Sequence, residues 1–235
     1  SSPAEGTPEG MAERWATFDC YGTLVDWETG IGRELARLWP EADVPALRAR
    51  YEEIEPRVQL AGSIAYRDVL REALVLLAES EGLELLPGEE SVLAESLPGW
   101  PVFPEVPGAL GELRARGWRL VALSNTDPDL LTASLEAIGV PFDGAVVASE
   151  IGSYKPAHGH WESFRERFPA SADRHVHVAA SLFHDIAPAH ELGIAAVWIN
   201  RLEEASDLPR AAELPDLAAL PETLERLLPA EAARG

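Results

Sequence analysis

The hydrophobic pattern changes character twice along the chain. A short apolar run ends at Phe18, immediately before Asp19, and is typical of a buried strand that runs into a turn. From about Trp27 to Leu97 the apolar positions recur instead with a helical period, as in GIGRELARLW at residues 30–39. The proline-rich PGWPVFPEVPG at residues 98–108 follows as a candidate hinge. Breaks rich in Pro, Gly and Ser separate the helical segments, none of which has the pattern of a strand. We therefore predict a helical insert directly after the first strand.

The remainder of the chain alternates between strand and helix patterns. Helical segments separate four apolar runs that are typical of buried strands: WRLVALSN, GAVVAS, HVHVAAS and IAAVWIN. Such alternation predicts an α/β fold with a doubly wound, Rossmann-like parallel sheet. We expect residues 13–25 and 103–232 to form this core domain, residues 26–102 a helical cap domain, and residues 1–12 a flexible N-terminal extension.

Charge and cysteine content narrow the functional classes. The formal net charge is −21, from 40 acidic and 19 basic residues, and such a field repels phosphate backbones and anionic membranes. We therefore expect neither nucleic acid nor a membrane as a partner, and no apolar run reaches the ~20 residues of a membrane span. Cys20 is the single cysteine, which excludes an intramolecular disulfide and makes a reducing cytoplasm the expected location. A homodimer stays open.

Polar side chains stand at the ends of four successive predicted strands. In open parallel sheets, ligands bind at the carboxyl ends of the strands, so these side chains are expected to form one site that contains carboxylates, hydroxyls and a lysine. They are Asp19, Tyr21 and Thr23 after the first strand, Ser124 and Asn125 after the second, Lys155 after the third, and His184 and Asp185 after the fourth.

The ordered set of motifs resembles a known superfamily. FDCYGTL at residues 18–24, LSNT at 123–126 and YKP at 154–156, followed by the late Asp185, are similar to the motifs of the haloacid dehalogenase-like hydrolases. The resemblance extends over residues 14–230. Within the superfamily the chain resembles the (S)-2-haloacid dehalogenase branch, in which a helical cap follows the first motif.

Tyr21 separates two branches of that superfamily. Its phosphatases place a second aspartate at this position, which acts as the general acid and binds magnesium through its carbonyl. Their fourth motif usually has two carboxylates, whereas this chain has Ser181 at the first and keeps only Asp185. Mg²⁺ prefers several oxygen ligands, and a halide, unlike an alkoxide, leaves without a proton. The sequence therefore favours halide displacement without metal or cofactor; magnesium belongs to a phosphatase alternative.

The resemblance implies nucleophilic catalysis in two steps. Asp19 attacks the halogen-bearing carbon of a short 2-haloalkanoic acid and expels halide, and water then hydrolyses the aspartyl ester to the 2-hydroxy acid. Lys155 keeps Asp19 ionised and offsets the charge of the substrate. Thr23 and Ser124 hydrogen-bond the nucleophile or the substrate carboxylate. Asp185 orients Lys155 or helps to activate the hydrolytic water.

The same resemblance implies a pocket for the substrate and the halide. Asn125 aligns with a family position that lines the halide pocket, and Tyr21 lies next to the nucleophile in the same turn. The family also binds halide through a cap arginine, whose spacing from the nucleophile corresponds to Arg50. Arg48 and Arg57 are close enough to be alternatives.

The fourth motif departs from the family pattern S-S-N-x-W-D. Ala180 replaces the first serine, Leu182 the asparagine and His184 the tryptophan. These changes leave open how the hydrolytic water is held, and His184, with an ordinary pKa near ~6.5, is a candidate polar contact or base. Two other functions stay open: a magnesium-dependent phosphatase of a small metabolite, and a non-catalytic binding protein on the same fold.

Overall fold

A parallel sheet forms the centre of the protein. The computed structural model describes residues 13–61 and 65–230, so the predicted extension over residues 1–12 lies outside the described residues. The strands are β1 (Arg14–Phe18), β2 (Trp118–Ser124), β3 (Gly144–Val147), β4 (His175–Ala179), β5 (Ala195–Ile199) and β6 (Ala212–Leu214). Within the described residues they form one six-stranded sheet in the order β3-β2-β1-β4-β5-β6, and every neighbouring pair is parallel.

Helices form the insert and pack against the sheet. The insert contains α1 (Trp27–Leu38), α2 (Val44–Leu60), α3 (Tyr66–Glu81) and α4 (Val92–Ser96), and the later helices are α5 (Val106–Ala115), α6 (Pro128–Ile138), α7 (Ala148–Ile151), α8 (Gly159–Arg167), α9 (Ala187–Glu191) and α10 (Leu220–Leu227). In the described part of the chain, no helix is long and apolar enough to cross a membrane.

The two faces of the sheet pack into separate cores. Along β1, Ala16 and Phe18 belong to one buried cluster, together with side chains of α5 and α10. Trp15 belongs to the other, which includes Trp161 and Phe164 of α8. Strands buried on both faces read as continuous apolar runs, which is why the sequence pattern revealed them.

The predicted α/β class and the inserted helical cap are confirmed. The sequence pattern missed β6, because this strand has only three residues, AEL, at the edge of the sheet and contains no apolar run. The domain bounds at residues 26 and 102 stay predictions.

The chain leaves the core and returns to it along two paired segments. The Asp26 amide donates to the Pro101 carbonyl at 2.8 Å, and the Phe103 amide donates to the Leu24 carbonyl at 3.0 Å. The proline-rich stretch predicted as a hinge therefore lies beside the segment that follows the first motif. This pairing keeps the insert over the carboxyl end of β1.

Asp127, just before α6, attaches the cap to the core. Its carboxylate accepts hydrogen bonds from the backbone amides of Tyr66 (2.7 Å) and Arg67 (3.1 Å), at the first turn of α3. Such a carboxylate satisfies amides that have no partner within the helix. Asp127 is 4% exposed, so this core loop and the start of a cap helix are packed together.

Candidate active site

A cavity of about 610 Å³ lies between the carboxyl ends of the strands and the cap helices. Its core side includes Asp19, Ser124, Lys155 and Asp185, which follow or end four different strands. Its cap side is formed by residues of α1, α2 and α3. The strand ends that the sequence singled out therefore converge on one enclosed space.

The turn after β1 presents Asp19 to this cavity. Gly22 has a φ of +90°, and a Cβ there would lie 3.1 Å from the Trp27 indole nitrogen, so the turn requires glycine. Thr23 lies below the nucleophile and is fully buried. Its hydroxyl donates to Asp19 Oδ2 at 2.8 Å and accepts from the Ala180 amide at 3.0 Å. Thr23 therefore ties the nucleophile to the loop that follows β4.

Lys155 bridges two carboxylates. Its Nζ lies 3.0 Å from Asp19 Oδ1 and 2.7 Å from Asp185 Oδ1, and it also donates to the Leu123 carbonyl at 2.8 Å. All three hydrogens of the ammonium thus have acceptors. The side chain is 1% exposed, and Lys155 is the only lysine in the sequence, the other basic residues being arginines.

The pKa values of Asp19, Asp185 and Lys155 are shifted in different directions. Burial raises the pKa of Asp19, and Asp185 adds to the rise, while Lys155 and Thr23 act in the opposite direction. Burial also opposes ionisation of Asp185, but Lys155 and His177 hold its pKa well below the ordinary range. The pKa of Lys155 is raised despite its burial, because two carboxylates face the ammonium. Asp19 is therefore the more basic of the two carboxylates.

Asn125 holds the backbone of Lys155. Its side-chain amide donates to the Lys155 carbonyl at 3.0 Å, and its Oδ1 accepts from the Lys155 amide at 2.7 Å. Both ends of the Asn125 side chain are thus engaged with the Lys155 backbone, although the residue also lines the cavity. Ser124 differs: its buried Oγ has no hydrogen-bond partner among the described residues and is available to a ligand.

Tyr21 forms part of an aromatic wall. Its ring stacks on Tyr66 at 6.2 Å and meets Trp100 edge-on at 5.9 Å. The hydroxyl and Ser134 Oγ are hydrogen-bonded at 3.0 Å, on the side of α6. Burial raises the pKa of Tyr21 further, so the phenol keeps its proton. The residue that distinguishes this chain from the phosphatases thus supplies apolar surface.

His184 also lines the cavity. Its Nδ1 lies 3.0 Å from Ser181 Oγ, which additionally accepts the His184 amide at 3.1 Å. Burial lowers the pKa of His184, against the attraction of Asp185. The imidazole is therefore neutral near pH 7.

Arg50 does not contact this cavity. It pairs with Glu53 at 2.6 Å and lies 3.9 Å from Glu81, and it lines a separate groove between α2 and α3. The spacing argument for Arg50 as the halide ligand is therefore wrong for this chain. Arg57 lines the same outer groove. Arg48 does not line the cavity itself, but it pairs with Glu28 and Glu52, which do.

Carboxylates, and not the expected arginine, line the cap side of the cavity. α2 contributes Glu52, Glu55 and Gln59, and α1 contributes Glu28. Glu55 is hydrogen-bonded to Tyr66 and Gln59, and no described cation pairs with it. Burial raises the pKa of Glu55 to about 7, and the neighbouring Glu52 adds to the rise. Among the described residues that line the cavity, Lys155 and Arg201 carry the permanent positive charges.

A buried chain of polar side chains continues from Asp185 into the sheet. His177 Nε2 lies 2.9 Å from Asp185 Oδ1, and His177 Nδ1 lies 2.8 Å from the Thr17 hydroxyl. The same hydroxyl lies 2.7 Å from His175 Nε2. Sequence reasoning missed this chain, although two histidines with period-two spacing in an otherwise apolar strand are a detectable signal.

The magnesium site of the phosphatase alternative would draw on Asp19 and Asp185, without the second carboxylate of the fourth motif, where Ser181 stands. The Lys155 ammonium contacts one oxygen of each of these two carboxylates. Over residues 13–61 and 65–230, no group of three His, Cys, Asp or Glu side chains could hold a metal ion. His158 and His160 diverge, one toward Glu191 at the surface and the other toward the buried Ser124 carbonyl.

Comparisons with known proteins agree with this geometry. A family model described as haloacid dehalogenase-like hydrolase matches residues 14–193. (S)-2-haloacid dehalogenase 1 of Pseudomonas sp. (strain CBS-3) is 29% identical over 230 residues, covering 91% of this chain and 97% of that protein. Phosphoserine phosphatase of Thermus thermophilus is 30% identical over 182 residues, covering 74% and 68%.

A solved structure shares the fold. The crystal structure of an L-2-haloacid dehalogenase aligns with a TM-score of 0.82 and 24% identity over 91% of this chain and 99% of that one. The superfamily resemblance seen in the motifs is thereby confirmed. A family model matches most of the sequence, and Asp19, Lys155 and Asp185 meet at the strand ends. The chain belongs to the haloacid dehalogenase-like hydrolases.

Proposed function

We propose that the protein hydrolyses the carbon–halogen bond of a short 2-haloalkanoic acid through an ester on Asp19. The observation that carries this proposal is the charge arrangement around the nucleophile. Asp19 faces the cavity, and the Lys155 ammonium lies 3.0 Å from its carboxylate. Tyr21 occupies the position where a phosphatase requires an acid. Such a centre suits a leaving group that needs neither a metal ion nor a proton.

In the first step, Asp19 displaces the halide. A carboxylate oxygen of Asp19 forms a bond to the α-carbon, and the carbon–halogen bond breaks with its electron pair leaving on the halide. Lys155 and the unpartnered Ser124 hydroxyl favour placing the substrate carboxylate on the core side. The alkyl group then faces the aromatic wall of Tyr21 and Tyr66.

In the second step, water hydrolyses the ester. The water oxygen forms a bond to Asp19 Cγ, and the bond from Cγ to the ester oxygen breaks. That oxygen stays on the α-carbon and takes up one proton, which gives the 2-hydroxy acid. The other proton is released, so each turnover yields one halide and one proton. Asp185 is the proposed base, because its Oδ2 has no hydrogen-bond partner among the described residues and the residue lines the cavity.

Halide release tests the proposal. The purified protein is incubated with chloro-, bromo- and fluoroacetate and with both enantiomers of 2-chloropropionate, in the presence of EDTA, and free halide is measured. We expect release from at least one of them, undiminished by EDTA. No release from any of these acids by folded protein would contradict the proposal.

The acidic cap side leads to an expected pH dependence. Glu55 has a pKa of about 7, so raising the pH through that value adds a negative charge opposite an anionic substrate. A repulsion of about 1 kcal/mol, ordinary for partly solvated charges, corresponds to a fall in kcat/KM of about fivefold. Glu55→Gln is expected to flatten the profile between pH 6 and 8. A decline of equal size in this variant would assign it to another group.

The phosphatase alternative is supported by the Thermus thermophilus relative. It requires hydrolysis of p-nitrophenyl phosphate that depends on added Mg²⁺ and disappears in Asp19→Asn. The missing acid at Tyr21 argues against this function. Measuring both activities on one preparation decides between the two reactions.

A further inference from the structure

Three buried side chains, His177, Thr17 and His175, continue the hydrogen bonding from Asp185 into the sheet. They have no part in the reaction described so far. Thr17 and His177 are directly paired in neighbouring strands, and Thr17, His175 and His177 are each at most 3% exposed. The Phe164 ring packs against the His175 imidazole, with 4.6 Å between ring centroids, and Trp161 packs against His177 at 5.2 Å. Polar groups at such depth lower stability unless they are hydrogen-bonded, so the chain requires an explanation.

The hydrogen-bond donors and acceptors of these side chains can be assigned one after another, starting from Asp185. The ionised Asp185 only accepts, so His177 Nε2 carries a hydrogen. In a neutral His177, Nδ1 is then an acceptor and receives the Thr17 hydroxyl hydrogen at 2.8 Å. The Thr17 oxygen in turn accepts from His175 Nε2 at 2.7 Å. Each hydrogen bond sets the direction of the next: Asp185 determines which tautomer His177 adopts, and Thr17 holds the imidazole at its other nitrogen.

This sequence leaves one oxygen of Asp185 uncommitted. Oδ1 receives both Lys155, at 2.7 Å, and His177, at 2.9 Å. Oδ2 is buried and has no partner among the described residues. In the family pattern an asparagine stands at position 182, where this chain has Leu182, so an amide that could contribute to this region is missing.

We propose that His177, oriented by Thr17 and His175, is a positioning residue that holds Asp185 with Oδ2 available to the hydrolytic water. The inference rests on the proposed function, since it assigns the chain to the second step. The water proton passes to Asp185 Oδ2 as the water oxygen bonds to Asp19 Cγ. Burial lowers the pKa of His175 to about 3, which keeps the far end of this hydrogen-bonded series neutral.

Thr17→Val tests the inference, because valine keeps the shape of threonine and removes the hydroxyl. Single turnovers with 2-bromopropionate are quenched rapidly, and the ester on Asp19 is quantified by intact-mass spectrometry. We expect ester formation within threefold of the wild type and ester hydrolysis slowed about tenfold, a modest share of what a positioned base contributes. The ester therefore accumulates. Thr17→Ser, which restores the hydroxyl, is expected to recover hydrolysis.

A purely structural role would slow both steps together or neither, and either result overturns the inference. If Thr17→Val does not fold, His175→Phe removes the other partner of the same hydroxyl, and the same split between the two rates is required. Absence of both ester and bromide release in the wild type would instead contradict the proposed function. The two failures are thus distinguishable.

Discussion

Replacing Asp19 with asparagine is expected to abolish turnover while the protein stays folded. The amide is a poor nucleophile, and loss of a covalent nucleophile typically costs about 10⁴-fold or more in kcat. The fold should tolerate the change, because Lys155 keeps its 2.7 Å contact with Asp185. One ammonium would then face one carboxylate instead of two, so we expect thermal stability equal to or above that of the wild type.

The measurement combines halide release, circular dichroism and isotope labelling. In H₂¹⁸O, a single turnover of the wild type should place the label in the Asp19 carboxylate, because water attacks Cγ of the ester. Asp143, which pairs with Arg114 and Arg119 away from the cavity, serves as the matched control for both substitution and labelling. Turnover in Asp19→Asn above about one part in 10³ would exclude the ester mechanism.

Lys155→Met is expected to cost both activity and stability. Methionine keeps much of the volume but leaves Asp19 and Asp185 buried without their cation. Breaking a buried pair by removing one partner typically costs about 3–5 kcal/mol. Loss of positive charge at a reacting centre lowers kcat by about 10²–10³-fold. We therefore expect a folded but weakened protein with little halide release.

The stability loss should depend on pH in a defined direction. In the wild type the pKa of Asp185 is depressed, so its contribution is present above the unfolded value of about 3.9 and is lost as acid protonates it. In the variant, two carboxylates share a buried site without a cation, which raises a pKa, so destabilisation grows as pH rises above about 4. Urea unfolding should therefore give a larger difference at pH 7 than at pH 4.

A double variant provides the control. Lys155→Met combined with Asp185→Asn removes one buried charge along with the cation and should recover part of the lost stability at pH 7, without recovering activity. A Lys155→Met protein as stable as the wild type at pH 7 would contradict the charge arrangement described for this site.

The first and third motifs were predictable because their chemistry coincides with local chain geometry. Asp19 ends an apolar run and is followed by Gly22, whose positive φ turns the backbone. Lys155 follows a strand, and parallel strands bring their carboxyl ends to one edge. The convergence of Asp19, Ser124, Lys155 and Asp185 could therefore be expected from their order alone.

The cap side could not be predicted in the same way. On α2, residues 50 and 52 point about 200° apart, since successive residues advance by about 100°, so a shift of two positions exchanges the outer groove for the cavity. Which face turned inward was decided by packing: Tyr51, Ile54 and Val58 are buried. Glu52 and Glu55 consequently line the cavity, and Arg50 lies outside it.

The sequence by itself determined the α/β core, the inserted helical cap, the order of the four motifs and Asp19 as the candidate nucleophile. These features depend on local periodicity and on residues at strand ends. Only the tertiary structure decided that Asn125 hydrogen-bonds the Lys155 backbone and that the cap presents carboxylates to the cavity. It also decided that His177 hydrogen-bonds both Asp185 and Thr17. Each of these contacts joins residues whose meeting depends on how elements pack and on strand register, which local patterns do not encode.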